Sequence, residues 1–373
     1  MHPSSARPTP RQLGIRIGQL PPGPRNDLTD VPGVRVGHAT VVADPPGRPP
    51  ARTGVTAVLP HPGDLVAQPV PAGCFVLNAY GKAVGLPQVE ELGRLETPIL
   101  LTNTLDVWRC AEALADHVLA RHPDLRTVNP VVLECNDGRL SGIRAHHVTP
   151  AAVAAALAEA AANPGPLAQG SVGAGTGMVA FQVKGGIGSA SRQVPVPPEA
   201  VPWLRAALRA GPAGEPPAGE LPGRLTVGAL VLANFGRWEE LTVAGVPVGR
   251  LLPRPPGPAL PPDRSGSIIM LLATDAPLDP GTLRRLARRA PLGMARTGGV
   301  AHHGSGDFAL AFAVRPPAAE PPPPALLDLL FLAAVEATEE AILSALFTAG
   351  PMAGDGGVAV PALPVEEVLA LLP

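Results

Sequence analysis

Apolar residues along the chain come in short runs closed by glycine or proline, with a few stretches at helical spacing between them. Within 28–42, Val31, Val34 and Val36 are punctuated by Pro32, Gly33 and Gly37, a pattern that predicts short strands joined by tight turns. Further short apolar runs occupy 55–59, 74–78, 99–102 and 130–135, the last closed by the turn Asn136-Asp137-Gly138. Leu105, Cys110, Leu114 and Leu119 recur at helical spacing through 105–121, and an alanine-rich helix is expected at 150–163. Segments 225–233, 267–273 and 308–314 read as buried strands. Asp279 suits an N-cap and Pro280 a first helical position, with Leu283, Leu286 and Ala290 following at helical spacing. The clearest helix is 326–346, where Glu336, Glu339 and Glu340 mark a polar side. Segment 170–192 is glycine-dense. So much Pro and Gly fills 194–223 that it reads as an exposed loop or linker, and a second loose stretch, 253–264, leads into the strand at 267. Strands and helices interleave without a strict β-α-β repeat, which points to mixed α+β layers.

Composition narrows the class. An apolar fraction of 46% against 16% charged residues is that of a globular chain, and with 3% aromatics its core must be built from Ala, Val and Leu. A formal charge of −2 offers no basic field to attract nucleic acid or an anionic membrane. Cys74, Cys110 and Cys135 are odd in number and far apart, with neither a disulfide framework nor zinc-ligand spacing. No apolar run is long enough to span a bilayer, and residues 1–19 lack a signal-peptide core, so a cytoplasmic protein is expected. Residues 1–23 read as a flexible leader ahead of a single domain, 24–373.

Three places offer chemistry. Gly266-Ser267 stands where a Pro-rich arm meets a buried strand. Glycine leaves its own carbonyl sterically open. Attack on it by the serine hydroxyl, an N-to-O acyl shift, gives an ester that water cleaves. The product is an N-terminal serine whose α-amine, with a pKa near ~8, can act as the base for its own hydroxyl. Asn234 ends a buried strand, where its amide can donate to an oxyanion. Ser305 and Asp307 flank Gly306, and in extended backbone their side chains share a face. Each has a plainer reading on its own: a loop end, an Asx turn closing a strand, a polar hairpin tip. The cluster at 173–177 is Gly-Ala-Gly-Thr-Gly rather than a dinucleotide fingerprint, and adjacent His302 and His303 point oppositely in extended chain, against a shared metal.

Taken together, a series of blocks resembles the L-aminopeptidase/D-esterase family, which also contains the β-aminopeptidases. In order these are Asn26-Asp27-Leu28-Thr29-Asp30-Val31-Pro32-Gly33-Val34-Arg35-Val36-Gly37-His38, Thr53-Gly54-Val55-Thr56, Gly173-Ala174-Gly175-Thr176-Gly177-Met178 and Lys184-Gly185-Gly186-Ile187-Gly188. Then come Ala233-Asn234-Phe235-Gly236, Gly266-Ser267-Ile268-Ile269, Ala273-Thr274-Asp275-Ala276-Pro277, Ala295-Arg296-Thr297-Gly298, Gly304-Ser305-Gly306-Asp307 and Ala337-Thr338-Glu339-Glu340-Ala341. The resemblance covers about residues 24 to 349. It implies a four-layer α-β-β-α sandwich of the kind shared with ornithine acetyltransferases, no metal or organic cofactor, and autocleavage between Gly266 and Ser267 into chains 1–266 and 267–373. It further implies Ser267 as nucleophile, Asn234 as oxyanion donor, and Ser305 and Asp307 as supports of the serine and its amine. Small peptides, amides or esters would be the substrates, and a homo-oligomer of cleaved pairs the assembly.

Departures from the family pattern bear on activity. Arg139 stands where the family shows a tyrosine, and is a candidate oxyanion or substrate contact of different reach and charge. Lys82 and Val84 replace an acidic residue and a threonine. Pro291 interrupts a helix that is continuous in the family, which predicts a kink or early end. Arg139, Lys82 and Val84 motivate a second reading, a catalytically degenerate member acting as a binding or assembly protein. Acyl transfer is a third, set back by serine at 267 where the acetyltransferases use threonine.

Overall fold

The structure, a computed structural model, describes residues 7–209, 221–257 and 266–373. The remaining parts of the leader and of the loose stretches 194–223 and 253–264 lie outside the described residues.

Two sheets form the centre. Sheet one has the order β1 (Arg35–Ala43), β2 (Ala51–Leu59), β6 (Ile99–Asn103), β7 (Val131–Cys135) and β4 (Ala83–Val84). Sheet two has the order β8 (Gly186–Pro195), β9 (Arg224–Asn234), β10 (Ser267–Thr274), β11 (Gly306–Ala313), β3 (Val70–Ala79) and β5 (Arg94–Leu95). Neighbours are antiparallel except β6 with β7 and β10 with β11, which run parallel.

Strand alternation divides the apolar residues into three layers of core. Leu101 and Leu133 of sheet one meet Leu230, Leu232, Ile269, Leu271, Phe308 and Leu310 of sheet two between the sheets. Outside sheet one, Val55, Ala57, Leu100 and Val132 pack on α1 (Val107–Leu119) and α2 (Pro150–Ala162). Outside sheet two, Val231, Ile268, Met270 and Ala309 pack on α3 (Pro280–Ala287), α4 (Ala290–Arg296) and α5 (Pro324–Thr348). The result is the expected α+β sandwich of four layers, α-β-β-α. The break expected at Pro291 is present: α3 ends at Ala287 and Pro291 lies in the first turn of α4.

The structure corrects two readings of the sequence and extends two others. Segment 28–42 is one 3-10 turn, Leu28–Asp30, and one nine-residue strand rather than several short strands. The glycine-dense stretch hides β8, whose small residues let α5 approach: a Cβ on Gly188 would fall 1.9 Å from the Ala341 carbonyl oxygen. The loop read at 194–223 contains a helix, Val201–Arg209, anchored by buried Leu204. Finally, the polar side of α5 formed by Glu336, Glu339 and Glu340 is buried. Arg192, itself fully buried on β8, reaches Glu340 at 2.7 Å and Glu336 at 3.2 Å, and Arg296 meets Glu339. The leader joins this network. Arg11 pairs with Glu340 at 2.7 Å, Glu336 accepts the amides of Gln19 and Leu20, and Ile17 is buried in the helix-side core.

Candidate active site

Strand register assembles the candidate residues. Antiparallel pairing of β9 with β10 sets Asn234 opposite Ser267, and parallel pairing of β10 with β11 sets Gly306 on the other side of Ser267. Alternation continues the inter-sheet faces of both strands, Leu230-Leu232 and Ile269-Leu271, so Asn234 and Ser267 turn into the space between the sheets. The Gly306 amide donates to Ser267 Oγ at 3.3 Å. Asp307, in register with Ile268, falls on the opposite face, behind the serine. Its Oδ1 accepts the Ser305 hydroxyl at 2.5 Å, as their two-residue spacing predicts, while Oδ2 is buried with no hydrogen-bond partner among the described residues. Burial pushes the Asp307 carboxyl up to about 6, against the opposing hydrogen bond from Ser305. His303 to Gly306 is not a hairpin tip, because β11 runs parallel to β10.

Gly266 is held by space as well as by reactivity. A Cβ there would lie 1.6 Å from the Asn234 carbonyl oxygen and 2.6 Å from Phe235 Cα, so any side chain collides with backbone. The Asn234 carboxamide is clamped at both ends. Its Oδ1 accepts the Val179 amide at 2.8 Å, and Nδ2 donates to the Asn136 carbonyl at 3.0 Å. An amide nitrogen carries two hydrogens, which leaves one for a further acceptor.

Arg139 is half-buried in the turn beyond β7, three residues past Asn136. Tyr80 is mostly exposed, its ring centroid 6.3 Å from that of His303, and its amide donates to the Ser305 carbonyl. Val84 lies in β4 opposite Val132, at the edge of sheet one.

One functional candidate escaped the sequence reading. Glu134, buried on β7, accepts the Lys82 amide at 2.7 Å through Oε1 and the Thr104 hydroxyl through Oε2. It borders the same ground as the serine: a Cβ on Gly81 would be 3.3 Å from Glu134 Oε1 and 3.1 Å from Gly306 Cα. Burial raises its pKa. The available signal was a carboxylate inside the otherwise apolar run Val131-Val132-Leu133-Glu134-Cys135. Next to Gly81 a cleft of about 510 Å³ opens between Phe75, Val76, Ala79, Leu86 and Phe308, with the Glu90–Arg284 ion pair at its rim. Among the described residues no helix is long and apolar enough to cross a membrane.

Comparison with known proteins identifies the family. The model of peptidase family S58 matches residues 26–360. A β-peptidyl aminopeptidase, BapA, of Sphingosinicella microcystinivorans is 37% identical, covering 99% of this chain and 93% of that protein. The solved structure of a Burkholderia sp. β-aminopeptidase is similar with a TM-score of 0.84 and 41% identity, covering 98% of each chain. That of an L-aminopeptidase D-Ala-esterase/amidase from Ochrobactrum anthropi, described as a prototype serine aminopeptidase and a variant of the Ntn hydrolase fold, gives 0.81 and 35%, again over 98% of each. The chain thus belongs to peptidase family S58 and is a serine aminopeptidase/amidase.

Proposed function

We propose that the chain cuts itself between Gly266 and Ser267, and that the freed serine then releases N-terminal amino acids, α or β, from small peptides, amides or esters. The observation that carries this reading is the row Asn234–Ser267–Gly306 across three adjacent strands, with Ser305 and Asp307 behind it. In processing, the Ser267 hydroxyl attacks the Gly266 carbonyl, the amide becomes an ester, and water hydrolyses it. In turnover the α-amine of Ser267 takes the hydroxyl proton as the oxygen attacks the substrate carbonyl. The second Nδ2 hydrogen of Asn234 stabilises the oxyanion, assisted by Arg139. As the intermediate collapses, the proton passes to the leaving amine, and water releases the acyl group from Ser267. The unpartnered Oδ2 of Asp307 is offered to the α-amine, and Ser305 holds the other oxygen. Glu134 is the carboxylate for the substrate's own ammonium group, a contact that selects a free N-terminus. Names of the relatives favour β-amino-acid substrates.

Intact mass after incubation at neutral pH tests this reading. Two species should sum to the full chain plus one water, the smaller beginning at Ser267. A single full-length mass that persists, without turnover of aminoacyl amides, overturns it in favour of a binding role. The same reading carries the expectation of a cytoplasmic homo-oligomer of cleaved pairs, the size of which light scattering measures.

The pH profile provides a separate check. Activity needs a neutral α-amine and an ionised Asp307, so both groups make the rate fall as pH falls. Log kcat/KM should drop with a slope of one below the amine's pKa of ~8, then steepen below about 6 as Asp307 protonates. Asp307→Asn should abolish the steeper limb; an unchanged profile in that variant removes Asp307 from the mechanism.

A further inference from the structure

Lys184 is one of only two lysines in a chain otherwise supplied with arginine, and it is fully buried. Its Nζ donates to three backbone carbonyls: Gly175 at 3.1 Å, Met178 at 2.9 Å and Gly185 at 2.7 Å. Three diverging acceptors suit the three hydrogens of an ammonium. The flat fork of a guanidinium does not match them.

These carbonyls surround a small hairpin. Val179–Ala180 pairs antiparallel with Val183–Lys184, Val179 opposite Lys184, and the loop between them is Phe181-Gln182. Both loop residues have positive φ, 50° and 65°. A two-residue turn of this kind favours Asn and Gly, and neither is present, so local preference does not hold the hairpin in shape. Tertiary contacts do. The Phe181 amide donates to the Phe235 carbonyl at 2.7 Å, the Gly185 amide to Met178 at 2.9 Å, and the Lys184 side chain crosses back to the turn at 175–178. Asp137 closes the far side of that turn, since a Cβ on Gly177 would come within 2.7 Å of Asp137 Cβ.

The hairpin matters because Val179 supplies the amide that donates to Asn234 Oδ1. A carboxamide rotated by half a turn presents oxygen instead of N–H to an oxyanion, changing attraction into repulsion. The Val179 amide on Oδ1 and the Asn136 carbonyl on Nδ2 are the two contacts that forbid this rotation. Asn136 and Asp137 are neighbours, and Val179 directly follows Met178. The two clamps on Asn234 therefore sit on the two segments that meet at the turn gripped by Lys184.

We propose that Lys184 is a positioning residue for the oxyanion site: its ammonium fixes the 175–179 backbone, and through the Val179 amide it sets the orientation of the Asn234 carboxamide. This inference rests on the assignment of Asn234 as oxyanion donor. Burial pushes the amine down to about 7 while the charge of Asp137 pulls it up; the positioning role rests on the three carbonyls that its donors reach.

The test is a double-mutant cycle on the self-processed enzyme, with kcat and KM measured on an aminoacyl p-nitroanilide. Lys184→Met should lower kcat by about ten- to a hundredfold, short of outright loss of a donor, and leave KM within about twofold. Lys184→Arg should not restore kcat, and Lys184→Gln, which keeps two donors in a similar volume and guards against a misfolded Met variant, should be intermediate. In an Asn234→Ala background, Lys184→Met or Lys184→Gln should change kcat by less than about twofold, because the group being oriented is gone. An equal fall in both backgrounds would show a merely structural lysine and overturn the proposal, as would a loss confined to KM. Should Asn234→Ala itself leave kcat untouched, the oxyanion assignment fails first, and the two failures are told apart.

Discussion

Ser267→Ala is expected to give a single uncut chain of 373 residues with no measurable turnover. Both reactions ask the same oxygen to attack a carbonyl, first that of Gly266 and later the substrate's, so one atom's removal should end both. The fall in kcat should be on the order of a million-fold, the scale at which a serine nucleophile is lost from a hydrolase. The fold should survive. Among the described residues Ser267 Oγ makes one hydrogen bond, from the Gly306 amide, and its loss costs about 1 kcal/mol. Mass spectrometry and a thermal melt together decide the matter. A cut Ser267→Ala protein, or a full-length one that still hydrolyses aminoacyl amides, would place the nucleophile elsewhere.

Asn234→Ala carries the second large effect. Removing one oxyanion donor from a dry site lowers kcat by about 10²- to 10³-fold, and KM should change little because the bond strengthens only as charge develops. The truncation also strips the Val179 amide and the Asn136 carbonyl of their partner, a cost of about 1–3 kcal/mol in stability. Asn234→Asp keeps an acceptor for Val179 but sets an oxygen against both the Asn136 carbonyl and the oxyanion, so it should be at least as slow and likewise destabilised. Steady-state kinetics on the processed fraction read this directly. If kcat for Asn234→Ala stays within about threefold of the parent, the oxyanion is stabilised by other groups.

The candidate site residues visible in the sequence are those placed at ends of buried strands. Asn234 and Ser267 stand out because an apolar run stops or starts abruptly beside glycine, and Ser305 and Asp307 because a two-residue spacing in extended chain forces a shared face. What stayed hidden was polar chemistry inside apolar surroundings. Glu134 interrupts a strand by one residue, Lys184 sits in a glycine-rich block, and Arg192 lies in a strand whose small residues mask its period. The carboxylates of α5 show the same limit. Helical spacing locates Glu336 and Glu340 on one side of the helix, but the partner that makes the side inward, Arg192, is 144 and 148 residues away in sequence. Local pattern fixes where a side chain points relative to its own element; only the packing of elements says what it meets.

The central position of β10 has a consequence for the cut protein as a molecule. The strand that would begin the downstream piece is flanked by β9 from the upstream piece and by β11 from its own, and α5 lies across β8 and β9. The halves are therefore not two folded bodies in contact but one interior divided between two chains. Separating them is unfolding. Melting of the cut form becomes a dissociation, with a midpoint that rises with protein concentration, whereas the uncut Ser267→Ala chain melts independently of it. Dilution after denaturation should strand the pieces as monomers lacking half a sheet, so that each molecule matures once and has a lifetime set by its rate of coming apart.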